Sequence, residues 1–315
     1  MSSLSLDRPT FLGAPRVPAR DARDGAVAVL GAPFGVPYGG SGSDGPASAA
    51  PAAIRAQSLR LAGYLDHYDF DFAGPLFAGR EVAIVDCGDA PAQPGRDADN
   101  QRATRDAVRA ILAAGALPVV LGGDDSIPIP VLRAYEGQPP MCVVQIDAHI
   151  DWRDEINGVR DGYSSAMCRA SEMSWVRGMA QVGMRGVGSA RQAEVDAARA
   201  YGSVIIPTRE VRQAGVASAL ARIPAAERYF ITLDMDGLDP AVAPALGSPA
   251  FGGLAYEEVG DLLRGIVAKG RVVGFDLVGL IPALDQDGRT ALLAARLILV
   301  LLGALVRAGQ IGVSR

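Results

Sequence analysis

Histidine, lysine and cysteine are scarce in this sequence of 315 residues, which contains two histidines, one lysine and three cysteines. Cys87, Cys142 and Cys168 are too few and too irregularly spaced to form a disulfide framework or a zinc site built from cysteine. We therefore expect reduced, mostly buried thiols in a cytoplasmic protein. Because His67 and His149 are the only histidines, the sequence also excludes any site that needs several imidazoles.

A clustered basic surface is also missing, and so is a long apolar run. The chain has 30 Lys and Arg against 35 Asp and Glu, a formal net charge of -5, and its arginines are scattered, so we predict no nucleic-acid or anionic-membrane partner. Residues 1–24 carry charges throughout, so we expect neither a signal peptide nor an anchor there. The longest apolar run, Leu297–Val306, is shorter than the roughly 20 residues that cross a bilayer, and we expect a buried C-terminal helix there.

Short apolar runs rich in β-branched residues alternate with segments of helical periodicity. The predicted strands are Val27–Leu30, Val82–Val85, Pro118–Leu121, Cys142–Ile146, Ala180–Val182, Val204–Ile206, Tyr229–Leu233 and Val272–Phe275. The clearest predicted helices are Asn100–Ala114, Ala190–Ala200, Val211–Arg222, Tyr256–Lys269 and Thr290–Ala308. This alternation is typical of an α/β protein with a mainly parallel sheet of about eight strands, covered by helices on both sides. We assign residues 25–315 to one such domain, with residues 1–24 as an N-terminal extension and Gly35–Pro51 as a long loop.

Acidic residues follow four of these strands, at the edge of the sheet where α/β proteins bind ligands. The segments are Gly122–Ser126, Asp147–Asp151, Asp234–Pro240 and Asp276–Gly279. Alternate residues of an extended chain point to the same side, so their side chains can be gathered at one place. The side chains are those of Asp125, Asp147, His149, Asp151, Asp234 and Asp236. Buried carboxylates repel one another unless a cation neutralises them, so the pattern predicts a metal site.

Five carboxylates and one imidazole form an oxygen-rich set of metal ligands. Such a set favours a hard divalent ion such as Mn²⁺ over zinc, while the imidazole leaves Ni²⁺ and Co²⁺ open. There are enough ligands for two ions roughly 3.5–4 Å apart, which would turn a bridging water into a nucleophile. The predicted catalytic residues are Asp147, His149 and Asp234. Capping of the following helix explains three other aspartates equally well: Asp124, Asp239 and Asp276.

Three motifs contain these ligands. They are Gly122-Gly-Asp-Asp125-Ser126, Asp147-Ala-His149-Ile-Asp151 and Asp234-Met-Asp236-Gly-Leu-Asp239-Pro240. They resemble the signature motifs of the ureohydrolases, the family of arginase, agmatinase and related amidinohydrolases. The resemblance implies an arginase-like three-layer α/β/α fold, a binuclear manganese site, hydrolysis of a guanidine to urea and an amine, and a trimer or hexamer. Under it, Asp147 and Asp234 match bridging ligands and Asp151 a ligand of the first metal. His149 and Asp236 match ligands of the second metal.

Three positions depart from the family pattern. Asp125 stands where the family has a histidine, so five carboxylates would face the +4 charge of two divalent ions, which favours a protonated ligand or an empty first position. Ser165 stands where the family has a histidine that is thought to shuttle protons or hold the substrate. Gly279 replaces a glutamate that pairs with the substrate guanidinium, a bond worth roughly 1.5–3 kcal/mol. Trp152, beside the Asp151 ligand, is a further predicted pocket residue.

Two functions fit this combination of kept and lost residues. The first is an active but atypical amidinohydrolase for a substituted guanidine, such as an N-alkylated guanidine or a biguanide. The second is a degenerate subunit that supports an active paralogous ureohydrolase in a hetero-oligomer. The expected protein partner is therefore a further copy of this chain or a paralogue. A dinucleotide-binding protein is disfavoured, since no Gly-x-Gly-x-x-Gly follows the first strand.

Overall fold

Eight parallel strands form the central sheet of the structure, a computed structural model that describes residues 9–38, 45–188 and 190–313. In chain order the strands are β1 (Val27–Gly31), β2 (Tyr68–Asp69), β3 (Gly74–Pro75), β4 (Ile84–Asp89), β5 (Leu117–Leu121), β6 (Met141–Ile146), β7 (Val176–Met184), β8 (Val204–Pro207), β9 (Arg228–Asp234) and β10 (Arg271–Val278). Strands β2 and β3 form a separate antiparallel pair. The other eight lie in the order β4-β1-β5-β10-β9-β6-β7-β8.

Helices cover both faces of this sheet. They are α1 (Ala50–Ala62), α2 (Asp97–Ala113), α3 (Pro128–Arg133), α4 (Ala166–Ser171), α5 (Gln192–Tyr201), α6 (Thr208–Ala214), α7 (Val216–Arg222), α8 (Tyr256–Lys269) and α9 (Arg289–Arg307). Alternate strand residues point to opposite faces, and both sets are apolar. In β1, Val27 and Val29 pack in the core shared with α1 and α6–α9, while Ala28 and Leu30 pack in the core shared with α2–α5. The predicted three-layer α/β/α fold is confirmed.

The eight predicted strands all lie in the central sheet, and the differences from prediction are local. Strand β4 begins at Ile84, two residues later than predicted. The predicted helix Val211–Arg222 is two helices, because Gly215 adopts a φ of 81° and breaks the helical path between α6 and α7. Helices α1, α3 and α4 were not among the predicted helices. Helix α1 includes the last two residues of the predicted loop Gly35–Pro51, and residues 39–44 of that loop lie outside the described residues.

Helix α9 contains the longest apolar run and is packed inside the protein. The whole helix has 19 residues, and by length and composition it is apolar enough to cross a membrane, although the run Leu297–Val306 within it is shorter than a bilayer span. However, 78% of its most apolar stretch is buried. Leu297–Val306 is buried throughout, against α1 and α8 among other elements. The prediction of a buried C-terminal helix is confirmed.

The order of the strands brings the acidic segments together. Strands β9 and β10 lie between β5 and β6, although they come last in the chain. The loops that follow β5, β6, β9 and β10 therefore meet at the same edge of the sheet. The chain changes direction across the sheet at this point, which is where open α/β sheets form a crevice.

Candidate metal centre

The candidate ligands lie at the carboxyl ends of neighbouring strands. Asp147 directly follows β6, and Asp234 is the last residue of β9. Asp151 has a φ of 44°, an uncommon value for a residue with a side chain, and its carbonyl accepts bonds from Met167 and Cys168 at the start of α4. The backbone at Asp151 is therefore held in an unusual conformation by the helix that docks on it, as is common at functional sites.

Three carboxylates form the first cluster, the carboxylate triad of Asp125, Asp147 and Asp151. Each offers an oxygen within 4.8 Å of the others, and all three residues are buried. Among the described residues, neither oxygen of Asp125 has a hydrogen-bond partner. Burial and the charges of Asp151, Asp147 and Asp234 hold the pKa of Asp125 well above its usual range. A buried carboxylate without a partner is unfavourable, and a bound cation would satisfy it.

Asp147, His149 and Asp236 form the second cluster, the imidazole cluster. The Nδ1 atom of His149 lies 3.1 Å from Asp236 Oδ2 and 3.4 Å from Asp147 Oδ1. Burial lowers the pKa of His149, but its bonds to Asp147 and Asp236 outweigh burial and raise the pKa to about 12. The two clusters share Asp147, so this residue is placed to bridge two ions.

Asp234 lies beside both clusters. Its Oδ1 accepts a hydrogen bond of 2.8 Å from the backbone N–H of Asp236. Burial, followed by the charges of Asp236 and Asp147, holds the pKa of Asp234 well above its usual range. Burial also raises the pKa of Asp147 to about 7 and that of Asp236 to about 6, each with a contribution from a neighbouring aspartate. The oxygen-rich donors and their mutual repulsion fit a pair of divalent cations.

Gln145 orients two of these carboxylates from within β6. Its Nε2 donates to Asp147 Oδ2 at 2.8 Å and to Asp151 Oδ2 at 2.5 Å. Its Oε1 accepts a bond of 2.7 Å from Gln181, and Gln181 in turn accepts one of 2.8 Å from Ser203. Because both ends of the Gln145 amide are bonded, its orientation is fixed. Sequence reasoning missed Gln145, although it shares the every-second-residue spacing of Asp147 and His149.

Asp276 of β10 lies in one row of buried polar residues with Gln145 of β6 and Thr232 of β9. The partners in register are Gln145, Thr232 and Asp276. Burial raises the pKa of Asp276 to about 7, and the Thr232 hydroxyl lowers it only in part. The folded protein thus keeps a proton on Asp276 that the unfolded chain loses at its ordinary pKa of 3.8. Stability must then fall as the pH rises from about 4 to about 7.

Asp276→Asn is expected to remove this pH-dependent loss, because the amide stays neutral. The pKa of Asp276 is raised from 3.8 to about 7, which is about three units, and each unit is worth about 1.4 kcal/mol. The gain in unfolding free energy is therefore on the order of 4 kcal/mol at pH 8, and it should be small at pH 4. Urea denaturation at both pH values measures it. Asp106→Asn, on the exposed face of α2, is the control. An equal effect of Asp276→Asn at both pH values would contradict the assignment.

A cavity of about 480 Å³ opens above the two clusters. Asp125, His149, Asp151, Asp234 and Asp236 form part of its lining. The remaining lining residues include the apolar and aromatic side chains of Pro37, Pro46, Trp152, Tyr163 and Ile281. An ion pair between Arg153 and Glu194, 2.9 Å long, also belongs to the wall. The cavity therefore joins an anionic floor to walls that carry both apolar side chains and the Arg153–Glu194 ion pair.

The structure places the three predicted pocket residues differently. Trp152 and Gly279 line the cavity. Ser165 is fully buried at the start of α4, and its hydroxyl lies 3.0 Å from the Tyr38 hydroxyl, which also accepts a bond from the Ser164 N–H. The roles of Trp152, Ser165 and Gly279 stay predictions. Sequence reasoning had no signal for Tyr38, which is more than 120 residues away.

The chain is similar in sequence and in fold to known amidine-hydrolysing enzymes of one family. The sequence model of the Arginase family matches residues 25–303. Guanidinopropionase of Pseudomonas aeruginosa is 34% identical over 228 residues, which cover 70% of this chain and 71% of the relative. Mitochondrial agmatinase of Gallus gallus is 31% identical over 295 residues, or 91% of this chain and 83% of the relative. The structure of proclavaminate amidino hydrolase from Streptomyces clavuligerus superposes with a TM-score of 0.83 at 30% identity, covering 98% of both chains.

Proposed function

The chain belongs to the arginase family, and on this basis we propose that it is a metal-dependent ureohydrolase. It would hydrolyse a C–N bond in a substituted guanidine or a biguanide-like compound and release urea, or a urea derivative, and an amine. The observation that carries this proposal is the pair of ligand clusters that share Asp147 at the floor of the cavity. Capping of single helices would not bring three ligands into each of two groups.

The residues of the floor fit a pair of divalent ions, for which Mn²⁺ is the first expectation and Ni²⁺ or Co²⁺ the alternatives. When bound, such a pair supplies an activated water for attack on the central carbon of a guanidine. Asp147 would bridge the ions, and Gln145 holds its carboxylate in place. Trp152 and Ile281 line the cavity above this floor.

The charge of the floor supports a cationic substrate even though Gly279 offers no carboxylate. If the two ions displace the protons from all five carboxylates, Asp125 included, the floor keeps one net negative charge. A guanidinium would therefore be attracted by the floor itself. Trp152, Tyr163 and Ile281 form the apolar part of the wall, and Arg153 and Glu194 are paired with each other, so we propose that the site favours an apolar substituent over the charged tail of agmatine or arginine.

The test is urea and amine release from a panel of guanidines by the metal-loaded protein. We expect kcat/KM to be about tenfold or more higher for N-alkylguanidines than for agmatine or arginine, since the burial of two methylene groups is worth about 1.4 kcal/mol or more. The Asp147→Asn protein serves as the blank. Preference for agmatine or arginine would contradict the proposed preference for an apolar substituent. Release of neither urea nor a urea derivative from any guanidine or biguanide would contradict the activity.

A second candidate function is a catalytically degenerate subunit that supports an active paralogue. The observation that favours it is the buried Ser165–Tyr38 contact, which stands in place of a titratable imidazole near the cavity. On this proposal the chain alone releases no urea, but it raises the activity of a paralogous ureohydrolase when the two are mixed. Size-exclusion chromatography of the mixture would then give a hetero-oligomer, a trimer or hexamer. We place this assembly in the cytoplasm as part of the proposal. Turnover by the chain alone would contradict it.

A further inference from the structure

We propose that the two metal positions of this site take unlike ions. A hard cation of the Ca²⁺, Mg²⁺ or Mn²⁺ class would bind at the carboxylate triad, and a borderline ion of the Co²⁺ or Ni²⁺ class at the imidazole cluster. The inference rests on the metal-dependent function proposed above and concerns the selectivity of each position. It starts from the donor atoms of two clusters that share Asp147 but differ in every other ligand.

The carboxylate triad offers oxygen atoms alone. Its three side chains are each more than nine-tenths buried and place their oxygens within 4.8 Å of one another. The chain has two histidines: His67 is exposed, and Nδ1 of His149 faces Asp147 and Asp236. Oxygen-only sets suit Mg²⁺, Ca²⁺ and Mn²⁺, whereas Co²⁺ and Ni²⁺ gain more from an imidazole. The triad therefore lacks the donor that would favour a borderline ion.

Asp125 is the residue that gives the triad this character. It lines the cavity with an exposed fraction of 6%, and in the described part of the chain no group donates to either of its oxygens. Its lone pairs are thus free for an ion. With Asp147 and Asp151 it places three negative charges around one position, a number found in sites for hard cations.

Gln145 offsets part of the repulsion between the carboxylates of the triad. Its amide donates to one oxygen of Asp147 and one of Asp151, and its own oxygen is bonded by Gln181. These bonds hold two of the three carboxylates in fixed orientations. The cage is therefore preorganised for an ion that accepts carboxylate oxygens without an imidazole.

The imidazole cluster has a mixed donor set. Asp236 accepts a bond of 3.1 Å from Ala148 N–H through Oδ1, so Oδ2 remains directed at His149. One ring nitrogen and two carboxylates suit Co²⁺ and Ni²⁺, which lie above Mn²⁺ in affinity for nitrogen-containing sites. The imidazole cluster therefore selects Co²⁺ or Ni²⁺, whereas the carboxylate triad selects a hard cation.

The experiment loads metal-free protein by dialysis against equal concentrations of Ca²⁺, Mg²⁺ and Co²⁺ and counts the ions retained by elemental analysis. We expect about one Co²⁺ and about one hard cation per chain. In Asp125→His the added imidazole should shift the count to about two Co²⁺ per chain, with a matching rise in visible Co²⁺ absorption. Asp106→His, on the exposed face of α2, controls for an added imidazole and should behave as the native protein.

Two Co²⁺ per chain in the native protein would overturn the inference, as would a count that Asp125→His leaves unchanged or the retention of no hard cation. Circular dichroism of each variant establishes that it is folded. The proposed function fails in a different way, because correct loading with two unlike ions but no urea from any guanidine would refute the activity alone. Ion counting needs no substrate, so the two failures are distinguishable.

Discussion

Asp147→Asn is expected to lose both metal ions at once and to lower urea release at least about 10³-fold, which corresponds to about 4 kcal/mol in the transition-state barrier. The reason is that Asp147 belongs to both clusters, so one substitution removes a ligand from each position. Metal content after dialysis and steady-state kinetics measure the two effects. Asp236→Asn changes the imidazole cluster alone, and it is expected to lose one ion.

Circular dichroism of the metal-free Asp147→Asn variant separates loss of the metal ligands from misfolding, because both Asp147 oxygens also accept hydrogen bonds, from Gln145 and from the His149 N–H. Retention of both ions by Asp147→Asn, or similar losses in the Asp106→Asn control, would contradict the bridging role.

Gly279→Ala is expected to disrupt the metal centre through Asp234. Gly279 has a φ of 82°, and a Cβ there would lie well inside contact distance of the Asp234 carboxylate. Asp234 Oδ1 is already bonded to Asp236 N–H, so its displacement also moves a ligand of the imidazole cluster. We expect a loss of about 2 kcal/mol or more in unfolding free energy from strain and crowding, together with metal retention reduced about tenfold or more.

Gly252→Ala is the matched control for this prediction. Gly252 has a φ of 79°, but a Cβ there would have no atom within 4 Å. The two variants therefore share the backbone strain of an alanine at positive φ, about 1 kcal/mol, and differ in the contact with Asp234. Chemical denaturation and metal content measured in parallel separate the two. If Gly279→Ala behaved like Gly252→Ala, the close approach to Asp234 would have no consequence for the site.

The structure also explains why position 279 is a glycine in this chain. The sequence shows that a carboxylate is missing where the family has one. The structure adds that the backbone at Gly279 adopts a conformation that favours glycine and leaves no space for a side chain beside Asp234. Gly279→Glu would therefore not simply restore the glutamate that pairs with the substrate guanidinium in the family. The negative charge of the floor comes instead from residues such as Asp125.

Sequence periodicity predicted the elements of the fold well because they depend on local chemistry. β-Branched apolar runs marked all eight strands of the sheet, and α8 has the predicted limits Tyr256–Lys269. The break between α6 and α7 was missed, since one glycine, Gly215, decides it through a positive φ. The short helices α3 and α4 were missed because six residues carry too little periodicity to be recognised.

By itself, the sequence determined which donor atoms this protein offers and which strands they follow. The extended spacing predicted for them is wrong, because the chain bends at Asp147 directly after β6, Asp151 has a φ of 44°, and Asp236 lies in a short 3-10 helix. The sequence also determined the scarcity of imidazoles and the presence of Asp125 among the acids.

The family resemblance already gave Asp147 as a bridging ligand, and the structure places it in both clusters. The tertiary structure alone decided that Gln145 holds the triad and that Tyr38 contacts Ser165. The physical reason is that β9 and β10 pack between β5 and β6, and such contacts between distant segments depend on how whole layers bury their apolar faces.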